Sequence, residues 1–156
     1  MWRGASDTGY EKATPFVDQR GQAITYVDGV LWDDFVKFRY QFPVSALMVH
    51  GIVYGQLHML GGKEEPVESW CDNAVWAMCL GLMMKELYIT PSLLRDEHWE
   101  ILGKALLWAE ANKDTLVDTQ MVLGNPHAGE AYAYKHAVGN RTILFARNPG
   151  LTAQKI

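Results

Sequence analysis

The stretch FPVSALMVHG, residues 42–51, has the strongest bearing on the fold class. It is short, apolar on both faces and closed by a glycine, which is typical of a strand in a parallel sheet covered on both sides. A second candidate strand, KELYIT at residues 85–90, is ended by a proline. Residues 69–84 are apolar almost all round and predict a buried helix, or a helix that leads into a strand. This alternation favours an α/β fold with a parallel sheet.

Residues 96–113 have the clearest helical pattern in the chain. Asp96 is expected to cap the first turn, where acidic side chains also suit the helix dipole. One face is formed at helical spacing by Trp99, Leu102, Ala105 or Leu106, and Ala109. Nearer the N-terminus, a β-branched alternation at residues 24–27 is strand-like, and residues 32–40 are consistent with a helix.

After the break GNP at residues 124–126, the pattern changes to a period of two. One face of this segment is formed by Tyr132, Tyr134 and His136. Because residues 139–140 (GN) turn the chain before it returns, the pattern predicts a β-hairpin. A hairpin after βα units indicates a different layer or a second domain. We therefore divide the chain into an α/β part, residues 1–123, and the start of an antiparallel β domain, residues 124–156.

The composition limits the classes of partner. The 156 residues suffice for one domain, and the net charge of −4 is scattered without a basic patch, so no nucleic-acid partner is expected. The longest apolar run, residues 74–84, is too short to span a membrane, so no membrane partner is expected. No metal-ligand spacing occurs, and we expect no metal. Cys71 and Cys79 lie about 12 Å apart on one predicted helix, too far for a disulfide, and are expected to be buried thiols.

Asp7, in the stretch WRGASD, is the first candidate for chemistry. A carboxylate in a polar loop is most often simply solvated. The alternative is a general acid or base, with Trp2 excluding water and so raising the carboxyl pKa, and with Arg3 binding a substrate oxygen. The six tryptophans and seven tyrosines of the chain leave a similar choice open, between core packing and a surface that stacks on sugar rings.

His50 ends the predicted strand at residues 42–49. It is either a core histidine or a site residue, because side chains at the carboxyl ends of parallel strands face the active site in α/β barrels. Glu86 and Tyr88 on the next strand are expected to be a buried, paired carboxylate beside a core tyrosine. The adjacent carboxylates Asp33 and Asp34 are expected at the surface.

The order and spacing of seven segments resemble the C-terminal part of the catalytic barrel of alpha-galactosidase-like glycoside hydrolases. The similarity is greatest to a bacterial branch in which a (β/α)8 barrel is followed by a β-sandwich. The segments are WRGASD (2–7), QAITYVD (22–28), FPVSALMVHGIVYG (42–55), KELYITPSLL (85–94), WEILGKALLWAEANKDTLVDT (99–119), GNPHAGEAYAY (124–134) and ILFARNP (143–149).

The resemblance implies a partial (β/α)8 TIM barrel, made of the last βα units, followed by a hairpin that begins a C-terminal β-sandwich. It implies a carbohydrate substrate with alpha-linked sugars and no metal or organic cofactor. Asp7 matches the family's general acid/base, Trp2 and Arg3 match residues that line the site, and His50 matches a position at the mouth of the next strand. The chain departs from the family's pattern at Val27, where an arginine is usual.

No residue here corresponds to the family's nucleophilic aspartate, which lies on an earlier strand. A retaining glycosidase needs two carboxyl groups about 5–5.5 Å apart, and a barrel needs about 250 residues to close. We therefore expect a fragment that lacks the N-terminal half of the barrel and is inactive alone. Two alternatives stay open: a non-catalytic carbohydrate-binding or interaction module, and an independent α+β domain with no link to sugars.

Overall fold

A computed structural model describes residues 19–49, 51–55 and 65–155 of the chain. Within these residues the order of elements alternates between helices and strands before ending in three consecutive strands. The helices are α1 (Gln19–Trp32), α2 (Val67–Cys79) and α3 (Asp96–Leu116). The strands are β1 (Ile52–Tyr54), β2 (Leu87–Ile89), β3 (Thr119–Leu123), β4 (Tyr132–Val138) and β5 (Arg141–Arg147). Single helical turns are found at Asp33–Lys37, Val44–Ala46, Pro91–Leu93 and Pro126–Ala128.

Strands β1 and β2 pair in parallel, with Val53 opposite Tyr88, and α2 connects them. The predicted strand at residues 85–90 and the parallel pairing are therefore confirmed. The predicted strand at residues 42–51 is wrong, because Val44–Ala46 form a 3-10 turn and β1 begins only at Ile52. Pro43 supplies the reason: its ring fixes φ at −71° and its carbonyl accepts the amide of Ala46, which starts a turn instead of a ladder.

The strand-like alternation at residues 24–27 lies inside α1. Ile24, Val27 and Leu31 are all buried, and their spacing of three and four positions places them on one face of a helix. Burial of this face outweighs the strand preference of β-branched residues, which is weak and depends on context. The helix continues directly into a π-helical turn at Asp33–Lys37, so the helix predicted at residues 32–40 is realised only in its first part.

Helices α2 and α3 confirm the two helical predictions and pack against each other. Asp96 is the first residue of α3 and not its cap. The cap is Arg95, whose backbone N–H donates to Nδ1 of His98 at 3.1 Å. The buried face of α3 includes Leu102, Ala105 and Ala109 as predicted, whereas Trp99 is 41% exposed. Both cysteines lie on α2 as free thiols; Cys79 is buried and Cys71 is only half-buried.

Strands β3, β4 and β5 form an antiparallel sheet in that order. The hairpin β4–β5 confirms the prediction, and Tyr132, Tyr134 and His136 are all fully buried on one face. Strand β3 was not predicted, although its burial alternates where it pairs with β4. The division drawn at residue 124 falls between β3 and β4, which are hydrogen-bonded neighbours in one sheet.

The described residues form a mixed α/β fold with one parallel pair and one antiparallel sheet, and they contain no closed barrel. One apolar core joins the two sheets, because residues of α1, α2, β1 and β4 belong to the same buried cluster. Within the described part of the chain, none of the helices has the length and apolar character that spanning a membrane requires.

Candidate functional site

The four residues predicted to form the sugar site, Trp2, Arg3, Asp7 and His50, lie outside the described residues. Their assignments stay predictions. For His50 the argument from strand position no longer holds, because the strand expected to end there is a turn and β1 follows it in the sequence. The assignment of His50 therefore depends on the resemblance alone.

A buried cation lies beside the carboxyl end of β1. Arg20 of α1 is 2% exposed; it donates to the carbonyl of Val53 at 3.0 Å and to Oδ1 of Asn73 at 2.6 Å, and it forms a salt bridge with Glu65. A buried charge is tolerated only when it is paired and hydrogen-bonded, and Arg20 meets both conditions. This arrangement ties α1 to the end of the parallel pair.

Three aromatic rings complete this buried cluster. Tyr54, Trp70 and His98 contact one another edge to face, with centroids 5.3–5.5 Å apart, and the Arg20 guanidinium lies 5.7 Å from the Trp70 ring centroid. Burial lowers the pKa of His98, so the ring is neutral at pH 7. Its Nδ1 accepts the Arg95 amide, which places the proton on Nε2, and that atom has no hydrogen-bond partner among the described residues. All three rings are closed to solvent, so the cluster packs the end of β1 into the core.

The second polar group in the core is centred on Asp28 of α1, which is 0% exposed. Its carboxylate accepts hydrogen bonds from Nε1 of Trp76 at 2.8 Å and from the hydroxyls of Tyr132 and Tyr134. Three donors therefore converge on one carboxylate from α2 and β4. This joins α1 and α2 to the antiparallel sheet through a single side chain.

Arg147 of β5 closes the same network. Its Nη1 lies 4.0 Å from Asp28 Oδ2 and donates to the Tyr132 hydroxyl and to Oγ1 of Thr25, both at 2.7 Å, while Nη2 donates to the carbonyl of Gly21. Burial raises the pKa of Asp28, although Arg147 and the three donors oppose this shift. Burial and the neighbouring carboxylate raise the pKa of both tyrosines, which stay protonated as donors.

A cleft of about 400 Å³ opens beside this network, between α1, α2 and the segment that follows β5. Trp76 and Arg147 line it, whereas Asp28 does not. Asp28 therefore cannot exchange a proton with a molecule in the cleft directly. Its chemical role in the fold is to position Trp76 and Arg147.

The other predicted polar residues have different surroundings from those expected. Glu86 and Tyr88 are not a buried pair: Tyr88 is about half exposed, and its hydroxyl donates to Glu86 at 2.6 Å near the surface. Asp34 is buried, contrary to expectation, whereas Asp33 is partly exposed and lies 3.1 Å from His127. No three histidine, cysteine, aspartate or glutamate side chains form a metal-binding group within the part of the chain that the structure describes.

Sequence reasoning identified the shared face of Tyr132 and Tyr134 but not the carboxylate they bind. Asp28 lies more than 100 residues earlier, and no local pattern links the two segments. The available signal is the position of Asp28 next to Val27, on the buried side of a helical stripe whose β-branched residues also fit a strand. Comparisons with known proteins add no further assignment: no family model, no curated protein and no solved structure matches this chain.

Proposed function

We propose that this chain belongs to an alpha-galactosidase-like glycoside hydrolase that cleaves alpha-linked sugars, as the last βα units of a (β/α)8 barrel and the start of a β-sandwich. The observation that carries the proposal is the order β1–α2–β2 with parallel neighbouring strands, followed by α3 and an antiparallel sheet. A parallel pair joined by a helix is the repeating unit of such a barrel. The same order underlies the succession of segments that resembles the family.

In the proposed reaction Asp7 is the general acid. It donates a proton to the glycosidic oxygen of the leaving group as the bond to the anomeric carbon breaks. The second carboxyl group belongs to an earlier barrel strand, outside this chain. Trp2, Arg3 and His50 would surround the sugar, with Trp2 stacking on its apolar face and Arg3 donating to a hydroxyl.

The test is hydrolysis of aryl alpha-galactosides by the protein encoded by the reading frame that contains this chain. Asp7→Asn should lower turnover of substrates with poor leaving groups by about 10²–10⁴-fold, which is the range for loss of a general acid. Asp114→Asn, which changes an exposed carboxylate on α3, is the matched control and should leave turnover unchanged. Unchanged turnover in Asp7→Asn, or no hydrolysis by the wild type, would contradict the proposal.

A second candidate function is sugar binding without cleavage, and the exposed rings of Phe38, Tyr40 and Phe42 favour it. In that case binding of a sugar would survive Asp7→Asn and be lost in Trp2→Ala, and no aryl glycoside would be hydrolysed. The two candidates thus differ in whether Asp7→Asn abolishes the measured signal and in whether any aryl glycoside is hydrolysed.

A further inference from the structure

His98 fastens the first turn of α3 to the rest of the fold through both its ring and its backbone. Its Nδ1 accepts the backbone N–H of Arg95 at 3.1 Å, and its own amide donates to the carbonyl of Arg95 at 3.0 Å. The carbonyl of His98 accepts the indole N–H of Trp70 at 3.2 Å, which joins the turn to α2. We call these three residues, Trp70, Arg95 and His98, the His98 latch.

The helix cap in this latch depends on the protonation state of the His98 ring. A neutral histidine has one ring nitrogen that accepts and one that donates, whereas a protonated histidine has two donors and no acceptor. Protonation would set an Nδ1–H against the Arg95 N–H, and the bond between them would be lost. Glutamate or glutamine commonly accepts the cap amide from this third position of a helix. Histidine differs because mild acid removes its ability to accept.

The surroundings of the His98 ring give a charged imidazole no compensating hydrogen bond. The residue is 1% exposed, and Nε2 has no hydrogen-bond partner among the described residues. Tyr54 of β1 and Trp70 of α2 contact the ring edge to face. A charge added there would be buried without a hydrogen bond, which is costly, and it would lie at the N-terminal end of α3, where the helix dipole disfavours a cation.

Charged groups of both signs surround His98. Arg95 disfavours a proton on the ring, whereas Glu65 and Glu97 favour one. Glu65 is already paired with Arg20, whose guanidinium lies 5.7 Å from the Trp70 ring centroid, so this carboxylate has little charge left to offer. Glu97 is exposed, and water screens its charge. Burial outweighs both carboxylates and lowers the pKa of His98 below its ordinary value.

We propose that the His98 latch is an acid-sensitive switch, closed at neutral pH, which releases the first turn of α3 when the His98 ring takes up a proton. Release frees the Arg95 amide and uncovers Trp70, which is fully buried in the closed state. The remainder of α3 stays in place, because its buried face includes Leu102, Ala105 and Ala109. The turn packs beside the carboxyl end of β1, and ligand sites of open α/β sheets lie at this end of parallel strands. The switch does not depend on the role proposed for Asp7.

The switch fixes the direction in which stability changes with pH. In the unfolded chain His98 takes up its proton near the ordinary histidine pKa of about 6.5, whereas the folded chain takes it up only at lower pH. The unfolded state therefore binds more protons in this range, and the free energy of unfolding falls as the pH decreases below about 6.5. For one proton, the equilibrium constant of unfolding rises by up to about tenfold per pH unit until the lowered pKa is reached.

Urea unfolding of wild type and His98→Gln across this pH range is the first test. Glutamine keeps an acceptor for the Arg95 amide and does not titrate. The ratio of the wild-type unfolding constant to that of His98→Gln should rise by up to about tenfold per pH unit below about 6.5, because groups common to both proteins cancel. His127→Gln, which removes an exposed histidine, is the matched control and should show no such rise. A ratio for His98→Gln that does not change with pH would overturn the proposal.

Amide hydrogen exchange of the wild type locates the change and requires no variant. The rates are followed by NMR and corrected for the intrinsic dependence of exchange on pH. We expect the amides of Arg95 and of residues 98–101 to lose protection between about pH 7 and about pH 5, while those of residues 105–109 keep it. In His98→Gln the protection of the first turn should persist in acid. Unchanged protection of the first turn in the wild type, or loss of protection along the whole of α3 together, would overturn a local release.

Discussion

Replacement of Asp28 by alanine should be among the most destabilising single changes in the described core. The substitution removes a fully buried carboxylate that accepts hydrogen bonds from Trp76, Tyr132 and Tyr134. The Tyr132 hydroxyl keeps a contact with Arg147, and Arg147 keeps its bonds outside the network. The Trp76 N–H and the hydroxyls of Tyr132 and Tyr134 all lose their acceptor, because Arg147 donates to the Tyr132 oxygen and cannot accept its proton.

The magnitude follows from these losses. Each buried donor left without an acceptor costs about 1–3 kcal/mol, and removal of one partner from a buried charged pair costs about 3–5 kcal/mol. Relief of the carboxylate's own desolvation offsets part of this cost. We expect Asp28→Ala to lower the free energy of unfolding by about 3–5 kcal/mol, a large share of the roughly 5–15 kcal/mol typical of a domain. Tyr134→Phe removes one donor and should cost about 1.5 kcal/mol.

The assay is urea unfolding at pH 7, followed by tryptophan fluorescence and far-ultraviolet circular dichroism. Asp114→Ala, which removes an exposed carboxylate from α3, is the control and should leave the midpoint unchanged. If Asp28→Ala is unfolded without urea, Tyr134→Phe still gives the graded loss. A midpoint for Asp28→Ala equal to that of Asp114→Ala would refute the reasoning, since the network would then contribute nothing.

Three further predictions concern acidity, thiol reactivity and backbone conformation. Burial raises the pKa of the Asp28 carboxyl, so the folded state binds the carboxyl proton more tightly than the unfolded state does. The free energy of unfolding therefore falls as pH rises from about 4 through the raised pKa. The difference in free energy of unfolding between wild type and Asp28→Asn, measured by urea titration, should therefore decrease over this pH range. An increase would show that the pKa of Asp28 is lowered. Burial raises the pKa of the Cys79 thiol to about 12, so a disulfide reagent should modify Cys71 first and Cys79 only on unfolding. Equal modification rates of the one remaining thiol in Cys71→Ser and in Cys79→Ser would disprove this. Gly81 and Gly139 both have positive φ, but a Cβ on Gly81 would meet the Leu116 carbonyl oxygen at 2.0 Å, whereas one on Gly139 meets nothing within 4 Å. Gly139→Ala should lower the free energy of unfolding, measured by thermal unfolding, by about 1 kcal/mol, and Gly81→Ala should lower it by clearly more. Equal losses in the two variants would contradict the close packing at Gly81.

The parts of the fold that could be predicted are those with a strong local pattern. The repeated spacing in α3 and the alternation of Tyr132, Tyr134 and His136 both reflect a face that is buried in the structure. The alternation of elements also predicts the parallel pair, but its first strand begins at Ile52, ten residues after the start of the apolar run at residue 42. A run that is apolar on both sides satisfies burial equally well as a strand or as an irregular segment beginning with a turn at Pro43.

Helix α1 and the Asp28 network could not be obtained in the same way. In α1, β-branched residues occur at positions that satisfy both a period of two and a helical stripe, and only packing against the rest of the core decides between them. The network joins residues from four separate elements, so its existence depends on the tertiary fold. For the sugar site, the residue types of the stretch 2–7 already offered Asp7 as a candidate beside Trp2 and Arg3, but the role proposed for each in a glycosidase rests on the resemblance.

Leaving-group dependence of glycoside cleavage tests the central claim most directly. The protein that contains this chain would be compared, as wild type, Asp7→Asn and Asp114→Asn, on aryl alpha-galactosides whose phenols span a range of acidity. If Asp7 donates the proton, Asp7→Asn keeps turnover of dinitrophenyl substrates, whose leaving group needs no proton, and loses turnover in step with rising phenol pKa. An Asp7→Asn variant with the same leaving-group dependence as wild type and Asp114→Asn would contradict the account.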